Sequence, residues 1–149
     1  MNKITQHFTL AEMTATDHKE FKGGLVLMAT ENKAKLEALC WHLEAIRAII
    51  QSPMAITSGI RSKELNKVIG GSAKSQHCLI EAADFIPQNK SAILAFNDIY
   101  KSGYPFGQLI LEKRGIGYLI HFGIGVKRET LYSPKLGKYE AYDISKLGV

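Results

Sequence analysis

Only two cysteines, Cys40 and Cys78, stand among 149 residues. That is too few for a disulfide framework, and their spacing lacks the paired pattern of a structural zinc knuckle. No apolar run approaches the roughly 20 residues that cross a bilayer, so a membrane span is excluded. The four prolines are scattered rather than gathered into a linker. Nothing repeats and no segment is of low complexity, so we expect a single domain over residues 1–149. The N-terminus lacks the basic stretch and apolar core of a secretory signal, which predicts synthesis in the cytoplasm.

Lysine and arginine number 19 against 14 acidic residues, a formal net charge of +5. That balance favours anionic partners, either nucleic acid or an acidic wall polymer. No stripe of basic residues interleaved with aromatics is present, and nucleic acid is therefore not expected as the partner.

Thr9 followed by Glu12 reads as a capping box opening a short helix, with Phe8 placed to staple it. From about Glu31 to Ile50, the residues Leu36, Leu39, Cys40, Leu43, Ile46 and Ile50 recur at three- and four-residue steps. They predict one apolar face of a long amphipathic helix, with Cys40 in the core and Trp41 half-buried beside it. Met54–Thr57 is strand-like; Ser62 caps a brief helix running to Ile69 that Gly70 and Gly71 end with left-handed backbone. Ala82–Ile86 is a buried strand stopped by Pro87, and Ser91 to Tyr100 is helical. Gln108–Glu112 and Tyr118–Phe122 flank a Gly-containing turn and are expected to pair antiparallel, with a further strand near Thr130–Tyr132. Helices first, then strands with helices between them, predict an α+β fold.

Three residues draw the chemistry. Asp84 lies among small and apolar neighbours, where an isolated carboxylate is costly and calls for a cation, an arginine or several donors. His121 interrupts an apolar strand, and His77 stands in a loop seven positions before Asp84. Two neutral imidazoles and one carboxylate form the ligand set of a catalytic zinc site with a fourth position for water. On residue type alone a strand histidine is also a common hydrogen-bonded core residue, and a strand aspartate often pairs with arginine.

The ordered set Ser58-Gly-Ile-Arg61-Ser62, Leu65-Asn66, Gly70-Gly71, Ser75-Gln-His77 and Glu81-Ala-Ala-Asp84, with the opening His7 to Glu12 and the strands bearing Gln108-Leu-Ile and His121, resembles a known family. It is the zinc D-Ala-D-Ala carboxypeptidase and L-alanyl-D-glutamate endopeptidase family of metallopeptidases, its short phage-borne members in particular. The resemblance implies a small antiparallel sheet with flanking helices, the hedgehog/DD-peptidase-like fold. It implies one Zn2+ per chain on His77, Asp84 and His121, with Arg61 holding substrate and the developing oxyanion and Ser75 orienting substrate. The activity it implies is hydrolysis of peptidoglycan stem-peptide amide bonds by a phage endolysin, a monomer acting on the wall once the membrane is opened, or by a virion component.

The sequence departs from the family pattern at the general base. Where relatives carry an acid three residues before the last histidine, this chain has Tyr118, whose phenol with a pKa near 10 is a poor base and is assigned instead to substrate or oxyanion contact. Glu112, on the strand paired with that of His121, becomes the base, provided that the register turns it to the same side; Glu81 is the weaker alternative. Cys78, adjacent to His77 in extended chain, points away from any shared ion. The missing acid also leaves open a catalytically impaired wall-binding or virion structural protein that keeps the fold.

Overall fold

The computed structural model describes residues 2–143 and residue 145. Five α-helices and six strands follow one another among these residues: α1 (Leu10–Met13), α2 (Lys22–Glu31), α3 (Lys33–Ile50), β1 (Met54–Ser58), α4 (Lys63–Val68), β2 (Ala82–Pro87), α5 (Ala92–Ser102), β3 (Gln108–Arg114), β4 (Gly117–Gly123), β5 (Glu129–Ser133) and β6 (Glu140–Ala141). The strands form one sheet in the order β1-β2-β4-β3-β5-β6. The fold is α+β. Backbone contacts group the chain into two compact units, the first comprising the segment to Ala45 with Ile56–Ala83, the second Ile46–Ala55 with the segment from Asp84.

In the first unit, Thr9 caps α1 through the reciprocal bonds of a capping box with Glu12, and Phe8 and Met13, at the two staple positions, are both buried. The α2 helix lies where sequence reading sees no regular element. Its Gly23 and Gly24 weaken helical propensity, and its buried face is only Leu25 and Ala29. A two-residue contact at one i, i+4 step is too small a signal to stand out from a sequence. Asn32 separates α2 from α3: its side-chain amide donates to the Met28 carbonyl at 2.9 Å, while its own carbonyl accepts from Leu36 N–H at 3.0 Å.

The predicted apolar face of α3 is buried along its whole length, with Leu36, Leu39, Cys40, Leu43, Ile46 and Ile50 at 3% exposure or less. Each aliphatic side chain buried there contributes about 1.5–3 kcal/mol. Trp41 is the exception to expectation: it is 64% exposed, because it falls one position past Cys40 and the 100° step turns it off the apolar face. Ser62 caps α4 by accepting from Leu65 N–H, and Gly70 takes the left-handed conformation that ends the helix. Gly71 does not. A Cβ there would stand 2.0 Å from Asn66 Oδ1, so its role is close approach rather than handedness.

In the second unit, β3 and β4 pair antiparallel with Ile110 opposite His121 and Glu112 opposite Leu119. The β5 strand pairs parallel to β3, with Gln108 opposite Glu129, so the sheet is mixed where a wholly antiparallel one was expected. The cause is the connection after β4, which returns the chain to the start of β3: Gly107 N–H donates to Gly123 O and Glu129 N–H to Gly107 O. A two-residue β6 pairs with β5, among residues whose mixed composition gives no sequence signal. Ser91 caps α5 and Gly103 ends it, and α5 packs on β3 and β4. Alternation divides the sheet face: the fully buried Leu109, Leu111, Ile120 and Phe122 lie on one side, and Tyr104, just past α5, contacts the Phe122 ring. Ile110, Glu112 and His121 lie on the other.

Candidate metal centre

Three short segments of the first unit set the position of His77. The turn Gly59-Ile60-Arg61 is pinned to the end of α1, where Ile60 N–H donates to the Met13 carbonyl at 2.8 Å. The approach is so close that a Cβ on Gly59 would stand 2.4 Å from that oxygen. The Gly59 carbonyl in turn accepts from His77 Nδ1 at 2.8 Å. A carbonyl has no proton to give, so Nδ1 carries the hydrogen and Nε2 presents its lone pair, the arrangement that orients a metal-ligating histidine. Ser75 begins the 3-10 turn Gln76–Leu79 and its hydroxyl accepts from His77 N–H. Ile80 ends the turn in the left-handed region, with φ 58°, although it is β-branched and buried. That conformation is disfavoured for any residue with a Cβ.

Arg61 is tied on both sides of its fork. Nε donates to Ser58 Oγ at 3.0 Å and Nη1 to Asn66 Oδ1 at 3.1 Å, while its backbone N–H donates to the His77 carbonyl at 3.2 Å. Cys78 donates weakly to the Ser62 carbonyl. Burial pushes its thiol above the usual range against the opposing pull of Arg61 and Lys63.

In the second unit, Asp84 on β2 and His121 on β4, 7% and 8% exposed, meet across the sheet with Asp84 Oδ1 2.9 Å from His121 Nδ1. On β2 the residues that alternate with Asp84, Ala83 and Phe85, are fully buried. Glu112 shares the His121 face of the sheet, the register that sequence reading required of it. Its carboxylate accepts from Arg114 Nη2 at 2.6 Å, and the same guanidinium donates to Ser133 Oγ at 3.2 Å. Tyr118, opposite Lys113, is an odd number of residues from His121 and so faces the other side of the sheet. It is hydrogen-bonded there to Tyr132, whose phenol is pushed up by burial and by this neighbour.

His77, Asp84 and His121 are brought together: each offers a ligand atom, and these atoms all lie within 4.8 Å of one another. On a tetrahedron with bonds of about 2.0–2.1 Å, neighbouring ligand atoms stand about 3.4 Å apart. The donor set, two imidazoles and one carboxylate, fits zinc. Cys78 is not among the grouped residues. Sequence reading gave no role to Asn66 or Arg114, and gave Gly59 only a place in the turn that aims Arg61. Asn66 stood within the quoted motif, but which partner an amide finds is not written in its spacing.

The sequence model of the peptidase M15 family matches residues 6–121, a stretch that holds Arg61, Glu112, Tyr118 and all three grouped residues. Over 79 residues, 52% of this chain, the sequence is 34% identical to the zinc D-Ala-D-Ala carboxypeptidase of Streptomyces albus G. The match spans 30% of that relative's length. With the match over most of its length, and with a zinc-type donor set inside it, the chain belongs to the peptidase M15 family of zinc peptidases.

Proposed function

We propose that this chain is a zinc-dependent peptidoglycan peptidase that hydrolyses amide bonds of the stem peptides, at D-Ala-D-Ala or at L-Ala-D-Glu. The observation that carries the reading is the grouping of His77, Asp84 and His121. These residues would hold zinc, which supplies Lewis acidity toward the scissile carbonyl and a water activated at neutral pH. The protein residues do the rest. His77, with its Nδ1 proton committed to Gly59, and His121 would each offer an imidazole nitrogen, and Asp84 a carboxylate oxygen. Arg61 binds the substrate carboxylate or the oxyanion that forms during attack, as a fixed and permanently charged fork suits. Ser75 holds the His77 loop. Glu112 takes the proton from the attacking water and passes it to the leaving amine.

The net charge of +5 supports attraction to an anionic wall. With it goes the reading of a monomeric phage endolysin, made in the host cytoplasm and released when the membrane opens, or of a virion component. Among the described residues, no helix is long and apolar enough to cross a membrane.

The test is incubation of the purified protein with peptidoglycan, with and without chelator. Release of new amino groups that stops with chelator supports the proposal; intact stems in the presence of stoichiometric zinc overturn it. One observation favours the second reading, a wall-binding or virion structural protein that has lost turnover: Tyr118, at the position of the family's acid, faces away from His121 and bonds Tyr132.

A further inference from the structure

We infer that Asn66 is a positioning residue for Arg61, and that Gly71 exists to make room for it. The inference rests on the reading of Arg61 as the group that receives substrate. Asn66 is only 4% exposed, unusual for an amide on a six-residue surface helix. Every part of it is used. Its Oδ1 accepts from Arg61 Nη1 at 3.1 Å, its Nδ2 donates to the Ser72 carbonyl at 2.7 Å, and its own carbonyl accepts from Gly71 N–H at 2.9 Å. The loop after α4 is thereby folded back over the amide. That is possible only because position 71 has no side chain: a Cβ would stand 2.0 Å from Asn66 Oδ1 and 3.1 Å from Arg61 Nη1.

With Ser58 on Nε and Asn66 on Nη1, the guanidinium is held at two points before any substrate arrives. An arginine side chain has many rotamers to lose, and ordering it in advance spares that entropic cost on binding. The clamp is neutral on both sides. Serine and asparagine are themselves uncharged, so these two bonds orient the cation through dipoles rather than through a counter-charge. Nothing about this arrangement follows from Arg61 being present; it requires a buried amide five residues on and a glycine ten residues on.

The test uses the zinc-loaded full chain. Asn66→Ala and Gly71→Ala are expected to raise KM for stem-peptide fragments by about tenfold, the scale of one charge-assisted hydrogen bond, with a smaller change in kcat and unchanged zinc content. In an Arg61→Ala background the same substitutions should cost nothing further, since they act through the missing group. Because the Asn66 amide also closes the loop, Ser58→Ala serves as a second probe that leaves the loop intact. A readout without substrate accompanies these: in 15N NMR the Arg61 guanidinium should show separate, slowly exchanging Nη signals in the parent and averaged signals in Asn66→Ala and Gly71→Ala. Penalties that add to that of Arg61→Ala, or an Arg61 spectrum indifferent to Asn66 and Gly71, would overturn the inference. If the parent hydrolyses no stem peptide, the proposed function falls, and the NMR comparison still decides whether Asn66 orders Arg61.

Discussion

His77 Nδ1 donates to the carbonyl oxygen of Gly59, 18 residues earlier, at 2.8 Å, and the nitrogen left to face a ligand is chosen by that bond. The Gly59 carbonyl is itself fixed because its residue lies against the Met13 backbone. Ligand orientation therefore begins at the end of α1. Gly59→Ala places a methyl group 2.4 Å from Met13 O and must displace the turn. Zinc affinity, measured by competition with a fluorescent chelator, should fall about 10–100-fold, the usual cost of losing an orienting partner. Unchanged affinity would separate the turn from the metal centre.

Removing a ligand should have a larger effect than loosening one. His77→Ala, Asp84→Ala and His121→Ala are each expected to abolish stoichiometric zinc, measured by elemental analysis after gel filtration. For His121→Ala a stability loss should accompany it even in the metal-free protein. Asp84, only 7% exposed, then loses the imidazole 2.9 Å from its carboxylate, and a hydrogen bond to a charged group is worth about 1.5–3 kcal/mol.

Glu112→Gln should leave zinc content intact and abolish turnover, with the fall confined to kcat. Its companion Arg114→Ala removes the donor at 2.6 Å and should lower kcat by loosening the carboxylate, with zinc content unchanged. Near-normal turnover in Glu112→Gln would remove this residue from the mechanism.

Ile80 offers a test of backbone strain beside the site. In most positions alanine is more stabilising than glycine by about 0.4–1 kcal/mol. At φ 58° a Cβ costs about 1–2 kcal/mol, so the order should invert. Ile80→Gly is expected to be more stable than Ile80→Ala by roughly 0.5–1 kcal/mol in urea denaturation. The two variants lose nearly the same buried side chain, and their comparison isolates the backbone. The usual order would show that the turn relaxes.

Burial, with smaller help from Glu12 and Glu44, pushes the Cys40 thiol from 9.0 to about 12. The folded protein thus favours the protonated thiol more than the unfolded chain does. This stability is complete below pH 9 and is lost as pH rises toward 12. Native protein at pH 8 should react with a thiol reagent at Cys78 and not at Cys40; equal rates would mean that α3 opens readily.

Much of this was legible in the chain. The face of α3 was, because helical periodicity and burial are one pattern seen twice. So were the Thr9 and Ser62 caps, whose side chains bond backbone within three residues, and the hairpin of β3 and β4, whose turn is local. The α2 helix was not, since it buries two side chains and contains two glycines. Nor was the parallel pairing of β5, which depends on where the chain returns after β4.

The residue types at 77, 84 and 121, in their family order, already specified a metal-binding donor set, because that chemistry resides in the side chains themselves. Which nitrogen of His77 carries a proton, that Glu112 faces as His121 does while Tyr118 does not, and that Asn66 clamps Arg61 were decided only by the folded chain. Each depends on a partner 5 to 18 residues away or across a strand pair. Strand register and loop closure are properties of contacts distant in sequence, and a one-residue slip in either would leave the composition unchanged while turning the same side chains away.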